Sequence, residues 1–211
     1  MTKEEKLKKL KQFIADSEKK HGVGVIINPD GKAEAQKYDV ISSGSIDIDE
    51  KTGIGGFPKG RIVEIMGPES SGKSTICLHA IAECQKAGGI ALYIDVEHSF
   101  DSFYASSVGV NIDELITSQP DSAEMALNIL SEAIDSGIYD LIILDSVAAL
   151  VPQKELDGDI GDSSMGVVAR LMSQTLRRIT PSVSKNNVCV IFVNQYRSKI
   201  GIMFGDPRTT T

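Results

Sequence analysis

Residues 67–74 read Gly-Pro-Glu-Ser-Ser-Gly-Lys-Ser, which is the pattern G-x-x-x-x-G-K-[ST] of a loop that cradles phosphate. Its two glycines allow a tight turn that aims backbone N–H groups at phosphate oxygens. Lys73 supplies a positive charge for the β- and γ-phosphates, and the Ser74 hydroxyl suits Mg²⁺. The octet therefore predicts a nucleoside triphosphate site that carries Mg²⁺.

The sequence on either side of this loop supplies the context that the motif needs. Residues 61–66 are apolar and rich in strand-forming side chains, which predicts a strand. Residues 73–87 carry apolar side chains at helical spacing and end before Gly88-Gly89, a helix stop signal. A strand, a glycine turn and a helix in this order place the phosphate at a helix N-terminus, which favours an anion.

The rest of the chain alternates between apolar strands and helices. Asp121 and Glu124 resemble a capping box that starts a helix, and Thr180-Pro181 is expected to end another. Near-continuous apolar strands alternating with helices predict an α/β fold with a mostly parallel sheet covered by helices on both faces. After the strand at 61–66 and the helix at 73–87, further strands are predicted at 90–95, 115–118, 140–145 and 187–194. Further helices are predicted at 101–108, 122–136 and 165–179.

An N-terminal arm of helix and short strands is expected to precede this core. Residues 3–20 are rich in Lys and Glu, and their apolar side chains form one narrow helix face, at Leu7, Leu10, Phe13 and Ile14. Residues 21–60 are punctuated by glycine and contain short β-like segments. The sequence thus predicts an arm at 1–40 and a core at 41–211.

The overall composition is that of an ordinary globular protein. The chain has 211 residues, of which 41% are hydrophobic and 24% charged. It has no apolar run of transmembrane length and no signal-peptide core near its start, so a cytoplasmic location without membrane contact is expected. The cysteines form no CxxC pair and are expected to be small core residues, at Cys77, Cys84 and Cys189.

Charge is distributed unevenly along the chain, whose net charge is −7. Residues 165–211 contain seven Arg and Lys against one acid, which gives +6. Residues 1–164 contain 15 bases and 28 acids, which gives −13. A basic end on an acidic body suggests a localised surface for a polyanion. A solvated face that is merely basic is the alternative interpretation.

Polar side chains follow three predicted strands, at the sheet edge where parallel α/β folds bind ligands. Asp145 ends the run Leu-Ile-Ile-Leu-Asp and is predicted to hold Mg²⁺. Glu97 is the preferred carboxylate for orienting an attacking water, with Asp95 as the alternative. Gln195 follows Asn194 and is predicted to sense the γ-phosphate, unless it is an ordinary strand-end amide.

Five strings resemble the bacterial RecA recombinase family, and the likeness runs from about residue 40 to the last residue. The resemblance implies a RecA-like P-loop NTPase core. It also implies an ATP-dependent recombinase that binds single-stranded DNA as a filament, exchanges strands with double-stranded DNA and hydrolyses ATP in a DNA-stimulated way. The strings are Gly-Arg-Ile-Val-Glu-Ile-Met-Gly-Pro-Glu-Ser-Ser-Gly-Lys-Ser-Thr (60–75), Asp-Val-Glu-His-Ser-Phe-Asp (95–101), Leu-Asp-Ser-Val-Ala-Ala-Leu (144–150), Ile-Gly-Asp-Ser-Ser-Met-Gly (160–166) and Asn-Gln-Tyr-Arg-Ser-Lys-Ile-Gly-Ile-Met-Phe-Gly (194–205).

The resemblance also assigns roles to individual residues. The implied catalytic residues are Glu97, Lys73 and Gln195, with Gln195 coupling ATP to DNA binding and Tyr104 stacking on adenine. ATP is implied to contact Gly67, Pro68, Glu69, Ser70, Ser71, Gly72, Lys73, Ser74, Thr75, Asp101, Tyr104, Asp145 and Gln195, with Mg²⁺ held by Ser74 and Asp145. DNA is implied to contact Met165, Gly166, Arg170, Ser173, Arg177, Arg197, Lys199 and Phe204. The helix at 3–20 resembles one that docks on a neighbouring subunit, so the arm is expected to mediate self-association.

Other protein classes share the phosphate loop. A hexameric helicase or clock-type ATPase is disfavoured by the strings Met-Gly (165–166) and Met-Phe-Gly (203–205), and a small-molecule kinase by the lack of an arginine-rich lid. RecA proteins continue beyond the last residue here, with lysines that reach the neighbour's ATP. A truncated ATP- or DNA-binding subunit is therefore the alternative function. For these 211 residues alone we expect weak DNA binding and negligible hydrolysis.

Overall fold

A computed structural model describes residues 2–21, 38–159, 166–198 and 208–210. The chain divides into two units, Met1–Lys37 and Tyr38–Thr211. The first unit contains helix α1 (Lys3–His21), as the sequence predicts. Its apolar stripe is exposed at Leu7, Leu10 and Phe13. None of the helices within the described ranges is both long and apolar enough to cross a membrane.

The second unit alternates strands and helices. In chain order its elements are β1 (Val40–Ile41), α2 (Ile46–Lys51), β2 (Phe57–Pro58), β3 (Arg61–Gly67), α3 (Lys73–Lys86), β4 (Ala91–Asp95), α4 (Ser102–Val108), β5 (Ile116–Ser118), α5 (Ala123–Ser136), β6 (Leu141–Asp145), α6 (Gln153–Leu156), α7 (Val167–Lys185), β7 (Cys189–Ser198) and β8 (Arg208–Thr210).

Five strands form a parallel sheet in the order β3-β7-β6-β4-β5. Strand β8 extends it by pairing antiparallel with the end of β7. Strands β1 and β2 form a separate antiparallel pair. The register sets Asp95 beside Asp145 and Gly67 beside Gln195, so the carboxyl ends of four strands meet at one edge. The predicted α/β fold with a mostly parallel sheet is confirmed.

Apolar side chains cover both faces of this sheet. One core joins α3 and α4 to one face and contains the buried Cys77, Cys84 and Cys189. The other core joins α5 and α7 to the opposite face. The central strands β4 and β6 are buried along their whole length, because side chains pointing to either face meet a helix layer. The cysteines are thus core residues, as predicted.

The predicted end of one helix and the predicted cap of another were wrong. Helix α7 does not end at Thr180-Pro181 but continues through Pro181 to Lys185. Buried Ile179 and Val183 anchor the helix on both sides of the proline, so tertiary packing outweighs the missing N–H.

Helix α5 is capped by Ser122, whose hydroxyl accepts the N–H of Met125 at 3.3 Å, and not by Asp121. The carboxylate of Glu124 instead accepts the N–H of Gln153 at 2.8 Å, which ties α5 to the start of α6. A capping box would have pointed this carboxylate back at the helix start. Helices α2 and α6 were also missed, because each is too short to show a periodic pattern.

Candidate nucleotide-binding site

A polar cavity of about 450 Å³ opens at the carboxyl edge of the sheet. It lies where the loop after β3, the loop after β4 and the ends of β6 and β7 come together. Residues far apart in the chain therefore meet in one place. The side chains and backbone that line it belong to Glu69, Ser70, Ser71, Gly72, Lys73, Ser74, Thr75, Glu97, Asp145 and Gln195.

The phosphate loop has the backbone conformation that its glycines predict. Gly72 has a φ of 86°, in the left-handed region, and caps the N-terminus of α3. A side chain at Gly67 would place its Cβ 2.8 Å from the hydroxyl of Ser71, which itself donates to the Pro68 carbonyl at 2.7 Å. Lys73 Nζ donates to the same carbonyl at 2.7 Å. The ammonium group is thus held inside the loop, where an anion would be bound.

Ser74 and Asp145 lie in direct contact although the sequence separates them widely. Ser74 Oγ donates to Asp145 Oδ2 at 2.7 Å. Asp145 is 3% exposed, and the two oxygens line the cavity beside Lys73. A hydroxyl and a carboxylate are the hard oxygen ligands that suit Mg²⁺. These two residues therefore fit a magnesium ion.

Tyr93 completes the surroundings of this carboxylate and was missed by the sequence interpretation. Its hydroxyl donates to Asp145 Oδ2 at 2.8 Å from the neighbouring strand β4. Burial raises the pKa of Asp145, hydrogen bonds from Ser74 and Tyr93 oppose that rise, and the nearby carboxylates of Glu97 and Asp95 add to it. Burial likewise raises the pKa of Tyr93, as does the adjacent negative charge.

Glu97 and Asp95 have different environments, which separates the two candidate carboxylates. Asp95 is fully buried, and it accepts the N–H groups of Ser99 at 3.1 Å and Phe100 at 3.0 Å. Its carboxylate therefore fixes the loop that follows β4. Glu97 is exposed and lines the cavity, with Ser146 donating to its Oε1 at 2.6 Å. Of the two carboxylates, Glu97 is the one placed to contact a ligand.

Gln195 reaches the same carboxylate from strand β7. Its side-chain Nε2 donates to Glu97 Oε1 at 3.3 Å. Its backbone N–H donates to the Asn194 side chain at 2.9 Å, and Asn194 Nδ2 donates to Glu64 Oε1 at 2.8 Å. Gln195 is thus linked to the carboxylate at the cavity and, through its own strand, to the segment that follows β7.

Asp101 and Tyr104 lie at the start of α4. Asp101 Oδ1 caps this helix by accepting the N–H groups of Phe103 at 2.8 Å and Tyr104 at 3.0 Å. The Tyr104 hydroxyl lies 3.1 Å from Thr75 Oγ1, and the side chain is 44% exposed. The structure therefore brings Tyr104 next to the end of the phosphate loop, with a ring surface open to solvent.

Four of the residues predicted to contact DNA belong to α7 or its N-cap. Gly166 caps the helix with a φ of 77°, and Arg170, Ser173 and Arg177 are exposed at helical spacing along one face. Arg197 lies in β7. Met165, Lys199 and Phe204 lie outside the described residues.

Comparison with known proteins gives a consistent match. A family model described as the RecA N-terminal domain matches residues 8–211. The chain is 53% identical over 207 residues to Protein RecA 1 of Myxococcus xanthus, covering 98% of this chain and 60% of that protein. It is 56% identical to Protein RecA of Chloroherpeton thalassium, covering 99% and 58%, and 54% identical to Protein RecA of Streptococcus gordonii, covering 98% and 54%. It thus spans little more than half the length of these relatives. With this match along almost its entire length, the chain belongs to the RecA family and corresponds to that family's N-terminal domain.

Proposed function

We propose that this chain binds ATP with Mg²⁺ in the cavity at the carboxyl edge of the sheet. We further propose that it acts as the ATPase core of a RecA-type recombinase, which binds single-stranded DNA as a filament and exchanges strands with double-stranded DNA. One observation carries the nucleotide assignment. A lysine, a hydroxyl–carboxylate pair and a second carboxylate, from three separate strand ends, line one cavity of about 450 Å³.

Each group has a distinct task toward the triphosphate. Lys73 and the loop N–H groups bind phosphate oxygens, since the loop backbone at the start of α3 favours an anion. Ser74 and Asp145 would hold Mg²⁺, which when bound neutralises charge on the β- and γ-phosphates. Tyr104 offers its exposed ring surface to the adenine base.

Glu97 is the residue that we assign to activating water. Ser146 and Gln195 both donate to its Oε1, and we assign Oε2 to the attacking water. The carboxylate would orient this water and accept its proton as the water oxygen attacks the γ-phosphorus. The bond from the γ-phosphorus to the oxygen that bridges to the β-phosphate then breaks, and ADP and inorganic phosphate leave. Because Gln195 touches Glu97 and begins the segment that leads to the basic tail, it is suited to signal the presence of the γ-phosphate.

The DNA-binding proposal rests on α7 and on the charge of the C-terminal segment. The exposed face of α7 presents Arg170 and Arg177 with Ser173 between them. Residues 165–211 carry +6. Basic side chains on such a face would bind phosphates without reading base sequence. Self-association through the α1 arm would repeat this face along a strand of DNA.

A substitution in the phosphate loop tests the nucleotide site. Lys73→Ala should weaken Mg²⁺·ATP binding by more than about tenfold, because it removes a charge-assisted contact to phosphate. Isothermal titration calorimetry measures this affinity directly. Lys86→Ala is the matched control, since Lys86 ends the same helix and pairs with Glu83 at 2.6 Å. Equal ATP affinity for the wild type and Lys73→Ala would contradict the assignment.

A second substitution tests the DNA surface. Arg177→Ala should lower the slope of log affinity against log salt by about 0.7, the value for one lost contact to single-stranded DNA. Fluorescence anisotropy of a labelled oligo-dT at several salt concentrations measures this slope. Arg178→Ala is the matched control, because Arg178 is also exposed but points in a different direction around the axis of α7. Equal slopes for the two variants would argue against this face.

A further inference from the structure

The buried hydroxyl of Tyr93 touches the residue assigned to Mg²⁺ but has no part in the function proposed so far. Tyr93 lies in the middle of β4 and is 3% exposed. Its hydroxyl is 2.8 Å from Asp145 Oδ2, the oxygen that also accepts the Ser74 hydroxyl at 2.7 Å. An ionised carboxylate only accepts hydrogen bonds, so the tyrosine is the donor.

The tyrosine ring is fixed by its surroundings. It packs in the core between the sheet and α3, and its centroid lies 5.4 Å from that of Phe100. Phe100 is itself held by the bond from its N–H to Asp95. The hydroxyl is thus aimed at Asp145 by a rigid ring on the adjacent strand, whereas the Ser74 hydroxyl sits on the loop side of the site.

We propose that Tyr93 is a positioning residue for the Mg²⁺ site. Its hydroxyl orients Asp145 from the core, while Ser74 and Asp145 would hold the ion from the cavity. This inference rests on the proposed function, because it concerns the same Mg²⁺·ATP site. Hydrogen bonds from a second layer of residues fix the orientation of a metal-binding side chain and commonly change metal affinity 10–100-fold. The Tyr93 hydroxyl supplies such a bond to a carboxylate that is buried and faces two like charges.

The test is Tyr93→Phe, which removes the hydroxyl and leaves the ring. ATP affinity is measured by calorimetry over a range of Mg²⁺ concentrations, and Mn²⁺ binding to the protein with ADP is measured by electron paramagnetic resonance. Tyr93→Phe should need at least about tenfold more Mg²⁺ or Mn²⁺ for half-saturation. Its ATP affinity without divalent metal should stay within about twofold of the wild-type value, because the phosphate loop is unchanged. Tyr139→Phe, near the opposite end of the neighbouring strand β6, is the control and should match the wild type.

The outcomes separate the two proposals. A wild-type protein that binds no ATP at any Mg²⁺ concentration would overturn the proposed function and this inference with it. A wild-type protein whose ATP binding depends on Mg²⁺, with an identical metal curve for Tyr93→Phe, would overturn the inference alone. Equal weakening of ATP binding with and without metal would also overturn it, since that is the signature of a purely structural residue.

Discussion

Asp140 and Asp145 lie at opposite ends of strand β6, and their surroundings differ in charge. Asp140, just before the strand, accepts Lys59 Nζ at 2.6 Å and the N–H of Ile90 at 2.9 Å. Burial alone would raise the pKa of Asp140, but the bonds from Lys59 and Ile90 outweigh it and hold the pKa below its ordinary value. This carboxylate has its cation within the chain and ties the turn before β3 to the amino end of the sheet.

Asp145, at the other end, receives its hydrogen bonds from hydroxyls. Glu97 and Asp95 add negative charge nearby, and the pKa of Asp145 is raised first by burial and then by these charges. Lys73 is directed at loop carbonyls instead. Asp140 therefore belongs to a structural ion pair, whereas Asp145 is hydrogen-bonded by hydroxyls and is the residue that we propose to bind Mg²⁺.

The cavities at the two ends of the sheet repeat this contrast. The one at the amino end has a volume of about 530 Å³, and its lining includes the pair Lys59–Asp140. It also includes Glu83, which forms an ion pair with Lys86. The one at the carboxyl end is lined by Lys73, whose partners are backbone carbonyls, and by grouped carboxylates. Charge that is neutralised within the chain stabilises the fold, and charge that is not yet neutralised is available to a ligand.

The largest effect is expected on ATP hydrolysis, when one glutamate from each cavity is replaced by glutamine. In a version of the chain completed with the C-terminal part of a RecA relative, Glu97→Gln should leave ATP affinity nearly unchanged and lower DNA-stimulated hydrolysis by roughly 10²–10⁴, because the amide cannot accept a proton from water. Glu83→Gln, at the amino end, should leave hydrolysis unchanged. A phosphate-release assay with saturating single-stranded DNA measures both. If Asp95→Asn lost hydrolysis without loss of stability and Glu97→Gln did not, the two carboxylates would have been assigned in reverse.

The next largest effect is expected from substituting the aspartate at each end of β6 in turn. Asp145→Asn should weaken Mg²⁺·ATP binding by on the order of tenfold, while the free energy of unfolding without ligand changes by less than about 1 kcal/mol, since the amide removes a buried charge. Asp140→Asn should lower the free energy of unfolding by about 1–2 kcal/mol, because Lys59 loses its partner. Its ATP affinity should not change.

Calorimetry and urea unfolding measure the two quantities on the same protein samples. An Asp140 variant that weakened ATP binding without destabilising the fold would contradict its structural role. An Asp145 variant that was strongly destabilised but kept its ATP affinity would contradict the proposed metal-binding role. Agreement at one end only would show which of the two aspartates has been misassigned.

The sequence predicts most of the sheet but less of the site. The strands follow from short apolar runs such as 141–144, which are typical of strands in a sheet buried on both faces. The phosphate loop follows from its glycines and Lys73. The sequence favours Glu97 over Asp95 but leaves both open, because Asp95 ends β4 and Glu97 lies only two residues beyond it. The backbone path of the loop decides which of the two carboxylates faces the cavity.

Tyr93 shows why a hydrogen-bond partner on an adjacent strand escapes a single sequence. Inside the run Ile-Ala-Leu-Tyr-Ile-Asp it has the appearance of an ordinary strand residue. Its importance depends on β4 pairing with β6, which sets Asp95 beside Asp145 and turns the tyrosine hydroxyl toward that carboxylate. The order of strands in a parallel sheet is fixed by crossover connections and helix packing, so the sequence of one strand does not show which strands lie beside it.

The smallest expected effect is on how the free energy of unfolding depends on pH, to which Asp140 and Asp145 contribute in opposite directions. The pKa of Asp140 is lowered in the folded protein. The stability that its ionised carboxylate contributes is therefore present above the ordinary aspartate pKa and is lost as the pH falls through the lowered value. The pKa of Asp145 is raised, so its effect on stability has the opposite pH dependence. The stability that its protonated form contributes is present at low pH and is lost as the pH rises through the raised value. Urea unfolding of the ligand-free protein between about pH 3 and 6 spans the windows on either side of the ordinary aspartate pKa. Asp140→Asn should flatten the rise in stability on the acid side, and Asp145→Asn should flatten the fall above it. If the two variants changed the profile in the same direction, the two carboxylates would not differ in the way that their hydrogen bonds and neighbouring charges require.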